Sequence, residues 1–141
     1  MNIDEALGRV RSGDRIDTGR DPQAVAVVGA ALAERLRGLS PDALVCWEGD
    51  DESVIAHAVG VALGVPVVRA IEDMGILTLD GEAPSGARVV LLATQWGGRN
   101  PAGSLLGLLH NNALHPVALA AVLAASRDAS IDLPTITLED E

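Results

Sequence analysis

Four stretches of this chain are apolar almost without a break: Ala43–Trp47, 65–70, Arg88–Ala93 and 117–123. A strand with one wet face alternates apolar and polar residues, whereas a strand covered on both faces does not. These four do not alternate, so both of their faces must be buried. Between them lie segments whose apolar residues recur at helical spacing. Ala24, Val25, Val28, Ala31, Leu32 and Leu36 form one such series, and 53–63 and 101–109 form others. Buried strands alternating with helices predict an α/β fold, a three-layer sandwich around a mostly parallel, twisted sheet. Ligands of such sheets bind beyond the carboxyl ends of the strands. That directs attention to two loops, 47–53 and 93–102.

The punctuation supports this order. Asp21-Pro22 is a helix start, with a capping acid and then proline in the first turn, and Gly38 closes that helix. Gly64 closes the helix over 53–63. Asp80-Gly81 and Pro84-Ser85-Gly86 are turns around a short strand at 76–79. Residues 1–21 read as a short helix followed by a loop, and SIDLPTITLEDE supplies one last short strand before an acidic end. The 141 residues make a single domain, 1–141, with no repeat or linker.

Composition narrows the partners. The chain has 20 acidic residues and 10 basic ones, all arginine, for a formal charge of -10. That field repels nucleic acid and anionic membranes, so neither is an expected partner. With no Phe or Tyr, the core must be aliphatic. A single cysteine, Cys46, and an acidic N-terminus without an apolar leader point to the cytoplasm. Cys46 lies inside a strand and reads as an inert core residue.

The loop after Arg88–Ala93 is the most informative. Val89 to Leu92 lead into Ala93, Thr94, Gln95, Trp96, Gly97, Gly98, Arg99, Asn100 and Pro101, and then a helix. The outline is that of a phosphate cradle: backbone N–H groups at Gly97 and Gly98, a helix N-terminus behind them, and Arg99 for charge. The other loop carries Trp47, Glu48, Gly49, Asp50, Asp51 and Glu52. Its acid run either caps and complements the following helix or holds Mg²⁺. Trp47 and Trp96, the only aromatic residues, either stack on a ligand between the loops or pack ordinarily. His57 reads as a packing or surface residue within its helix. His110 and His115 are not spaced as a metal pair on one helical face. No nucleophile–histidine arrangement or dinucleotide-binding glycine motif is present.

The same residues resemble a type I phosphoribosyltransferase, most nearly the orotate phosphoribosyltransferase arrangement. RSGDRIDTG and the helix after it resemble that family's N-terminal hood. ALVCWEGDDESVIAHAVGVALGVPVVRA resembles its strand, pyrophosphate loop, helix and second strand. LTLDGEAPSGARVVLLATQ resembles the approach to its signature strand, and LPTITL its last hood strand. The resemblance implies a small hood over the sheet from residues 1–21 and 128–141, and a homodimer. It also makes Gln95 to Asn100 the phosphate-loop equivalent and Trp47 to Asp50 the pyrophosphate-loop equivalent.

The chain departs from the family's pattern at its reacting groups. The two adjacent acids that hold ribose hydroxyls are replaced by Ala93 and Thr94. The mobile catalytic loop after Arg69 reads AIEDMGIL, without its lysines. The pyrophosphate loop is acidic, where cations and N–H donors stabilise phosphate charge. Three readings follow: a catalytically degenerate binding or assembly module with at most weak binding of a phosphate-containing small molecule, an atypical active transferase, and a structural dimer subunit. No cofactor is implied, except Mg²⁺ under the second.

Overall fold

A computed structural model describes residues 1–125 and 131–139. The chain opens with α1 (Ile3–Val10), which Asn2 caps by accepting a hydrogen bond from the Glu5 amide. A two-stranded hairpin follows, β1 (Arg11–Ser12) and β2 (Arg15–Ile16). Then comes α2 (Pro22–Leu36), whose N-cap Asp21 accepts from the amides of Gln23 and Ala24. The Ala24 contact, ahead of the other causes, holds the Asp21 carboxyl below its ordinary pKa.

The sandwich proper consists of β3 (Ala43–Trp47), α3 (Asp50–Leu63), β4 (Val67–Asp73), β5 (Ile76–Asp80), β6 (Arg88–Ala93), α4 (Ala102–Asn111), β7 (His115–Ala121) and β8 (Thr135–Thr137). The sheet has six strands in the order β5-β4-β3-β6-β7-β8. All neighbours are parallel except β4 and β5, which form an antiparallel hairpin. The predicted α/β architecture is therefore the observed one, and the four predicted core strands are the four central strands.

The sheet has a core on each face. Leu44, Cys46, Val90, Leu92, Ala118 and Ala120 point toward α2 and α3. Ala43, Val45, Val89, Leu91 and Leu119 point toward α4, the only helix on that side among the described residues. Burial on both faces is why these strands carry no alternation. Gly29 lets α2 approach α3: a Cβ built there would stand 2.5 Å from the Ala58 Cβ.

Several boundaries differ from the sequence reading. α3 begins at Asp50 rather than at residue 53, and its N-cap is Gly49, with no side-chain cap. The three acids thus occupy the first turn, complementing the helix dipole rather than capping it. β4 runs on to Asp73 because β5 folds back to pair with it through Asp73 and Ile76. The connection is only Met74 and Gly75, both at positive φ.

The tail strand expected in the hood is an edge of the main sheet. The Leu119 amide bonds the Pro134 carbonyl at 2.9 Å and the Leu138 amide bonds that of Ala121 at 3.3 Å. Without β8 those groups of β7 would lack partners. The N-terminal segment still meets the tail, through an ion pair of Arg11 with Glu139. Of the expected hood segment 128–141, residues 128–130 and 140–141 lie outside the described residues.

Candidate functional site

β3 leads through α3 to β4 on one side of itself, while β6 pairs on its other side. The order of the sheet therefore reverses between β3 and β6, and a crevice opens beyond their carboxyl ends. A cleft of about 450 Å³ lies there. Three segments wall it: Asp14 to Ile16 of the N-terminal hairpin, Glu48 to Glu52 after β3, and Thr94, Gln95 and Gly97 to Asn100 after β6. The two loops singled out in the sequence do converge.

Glu52 dominates the interior of the cleft. It projects from the first turn of α3 and is 8 % exposed. Its Oε1 accepts from the Thr94 amide at 2.9 Å, the Thr94 hydroxyl at 3.0 Å and the Asn100 side-chain amide at 2.8 Å. Its Oε2 also takes the Thr94 amide, at 3.2 Å. Burial raises the Glu52 pKa, and this outweighs the three donors, which pull it down. A carboxylate thus does stand at the end of β6, although the strand itself ends in Ala93, followed by Thr94. It comes from α3 and is already fully engaged.

The other two acids of the run diverge from it. Asp51 accepts from the Thr18 amide at 2.9 Å and hydroxyl at 2.7 Å, tying the N-terminal segment to α3. Consecutive helical residues point about 100° apart, and Asp51 and Glu52 accordingly take different partners. Among the described residues no metal-holding cluster of His, Cys, Asp or Glu occurs.

The loop after β6 is tied mostly to itself. Gly97 and Asn100 exchange amide–carbonyl hydrogen bonds at 3.0 Å, closing a turn with Gly98 at φ 56°. The Gly97 amide, offered in the sequence reading to an anion, is therefore occupied, while those of Gly98 and Arg99 make no hydrogen bond among the described residues. The Gln95 side-chain amide bonds the Ala124 carbonyl at 2.7 Å. Trp96 does not border the cleft. It is 1 % exposed, packs in the α4-side core, and donates its indole N–H to the Ala120 carbonyl. An apolar ring at the start of a helix face is drawn under that helix rather than into a charged crevice. Trp47 stays near the cleft, its N–H donating to the Pro101 carbonyl at 2.9 Å.

Cys46 is fully buried in β3, and burial, with the nearby Glu52 charge adding to it, pushes its thiol up to about 12. It is not a nucleophile. Two contributions escaped the sequence reading. Asp14 and Arg15 wall the cleft from the hairpin, which the hood-like RSGDRIDTG could have signalled. The contact of Glu52 with Thr94 has no local signal, because the partners lie 42 positions apart.

Solved structures share this architecture. Adenine phosphoribosyltransferase from Thermoanaerobacter pseudethanolicus superimposes with a TM-score of 0.76 at 14% identity, over 97% of this chain and 98% of that one. The fold is that of the type I phosphoribosyltransferases. A phosphoribosyltransferase from Corynebacterium diphtheriae gives 0.75 at 18% identity, over 96% and 94%. UMP synthase from Leishmania donovani gives 0.75 at 17% identity, over 99% of this chain but 36% of that one. No protein-family model matches the chain, and no curated protein matches it in sequence. At these identities the likeness shows the phosphoribosyltransferase fold alone.

Proposed function

We propose that this chain keeps the phosphoribosyltransferase frame as a non-catalytic binding or assembly module, with at most weak affinity for a phosphate-containing small molecule. The observation that carries this reading is Glu52. Its carboxylate takes the Thr94 and Asn100 donors at the end of β6, so an incoming phosphate meets a negative charge there instead of those N–H and O–H groups. Asp14, Glu48, Asp50 and Asp51 add acid to the same cleft, against Arg15 and Arg99.

The β4–β5 hairpin supports the reading independently. In the resembling family a mobile loop in this region delivers cations and excludes water. Here a two-residue turn joins the paired strands β4 and β5, leaving no long loop in that span. Calorimetry with phosphoribosyl pyrophosphate and Mg²⁺ tests the reading. Binding no tighter than about millimolar is expected, and tightening in Glu52→Ala, which frees the donors and removes a charge. Micromolar binding by the unaltered chain would contradict it.

The same reading places the protein in the cytoplasm as a homodimer. No helix among the described residues is long and apolar enough to cross a membrane. Met74 and Ile76, both exposed at the β4–β5 turn, are apolar groups suited to a subunit contact. Light scattering is expected to give twice the chain mass at micromolar concentration, and a monomer mass throughout would refute the pairing.

A further inference from the structure

We propose that a second, smaller pocket beside the cleft binds a free α-amino acid with an aliphatic side chain. The pocket encloses about 240 Å³ between the carboxyl ends of β3 and β4 and the residues leading into α4. Its apolar lining is Ile71 and Pro101 with the exposed edge of Trp47, over the fully buried Ala70. The Trp47 N–H and the Pro101 carbonyl already bond each other, so the indole presents carbon to an occupant. Its rim carries both signs of charge, Glu48 and Glu72 against Arg99. All three are exposed, and among the described residues none forms an ion pair or a side-chain hydrogen bond.

Opposite charges that border one cavity without meeting are arranged for a ligand that separates charge. A polyanion is opposed by two carboxylates, and a simple cation by the guanidinium. A neutral apolar solute would partly desolvate three charges and pair none of them. A zwitterion satisfies the set: its ammonium faces Glu48 and Glu72, and its carboxylate takes the planar fork of Arg99. An aliphatic side chain then covers the apolar wall. The volume is below the roughly 300–1,000 Å³ of pockets for drug-sized ligands, which limits the occupant to a few heavy atoms. The site rests on the binding-module reading, since Glu48 and Arg99 also border the cleft.

The test titrates the full chain with L-leucine by calorimetry and tryptophan fluorescence, beside N-acetyl-leucine and leucinamide, which each lack one charge. Saturable binding of leucine is expected, with each capped analogue weaker by about tenfold or more, since each loses charge-assisted contacts. In Arg99→Gln, leucine should fall to the level of leucinamide while leucinamide itself is unchanged. No saturation by about 1 mM leucine would overturn the proposal, as would equal binding of all three compounds. The analogue series uses the unaltered chain, so it does not depend on the variant's folding. Failure with leucine sinks this site alone, whereas turnover of phosphoribosyl pyrophosphate would sink the non-catalytic reading whatever leucine does.

Discussion

Glu52 ties the start of α3 to the loop after β6, and it does so at 8 % exposure. Its raised pKa gives the sign of its effect on stability. Above the ordinary carboxylate value the folded state binds more protons than the unfolded one, so stability falls as pH rises through that window. Glu52→Gln keeps an acceptor for Thr94 and lacks the proton. Urea unfolding should show the variant gaining on the unaltered protein as pH rises from 4.5 toward neutrality, and parallel profiles would refute this. Glu52→Ala instead strands the Thr94 and Asn100 donors and should cost about 1–2 kcal/mol at neutral pH. Cys46, held protonated by burial, should resist thiol reagents until the chain unfolds. Rapid labelling of the native protein would contradict its placement in β3. The sequence shows that Glu52 exists but not what it touches, because a contact with Thr94 across 42 positions leaves no periodic trace. Trp96 misleads for a related reason: the loop position is local information, and its burial under α4 is not.

At the scale of elements, the strands are legible because burial on both faces removes every polar position from them. β6 is predicted at its observed bounds, Arg88–Ala93. Boundaries fail where tertiary pairing decides them. Asp50 to Glu52 suit a cap or a first turn equally well, and Gly49 settles the matter only through its backbone. β8 is placed by pairing with β7, which nothing in TITL reveals. The close approach of α2 and α3 depends on Gly29, where Ala would bring Cβ to 2.5 Å from Ala58. Alanine favours a helix by about 1 kcal/mol over glycine, but overpacking costs about 1–3 kcal/mol. The clash should win, leaving Gly29→Ala less stable by about 1–2 kcal/mol in urea unfolding. A stabilised variant would show that the two helices can separate at little cost.

For the whole molecule, the fold is established apart from any chemistry. The frame survives at 14–18% identity to phosphoribosyltransferases of known structure, which is expected when apolar patterning and turn residues define a sheet while few side chains define a reaction. The cleft lies beyond the carboxyl ends of β3 and β6, with its Thr94 and Asn100 donors taken by Glu52 and mostly acidic surroundings. The direct measurement is release of pyrophosphate from phosphoribosyl pyrophosphate and Mg²⁺ in the presence of adenine or orotate, with the chain at micromolar concentration. A rate equal to the protein-free control is expected, with either base. Pyrophosphate release in repeated turnovers, abolished by denaturing the chain, would contradict the non-catalytic reading.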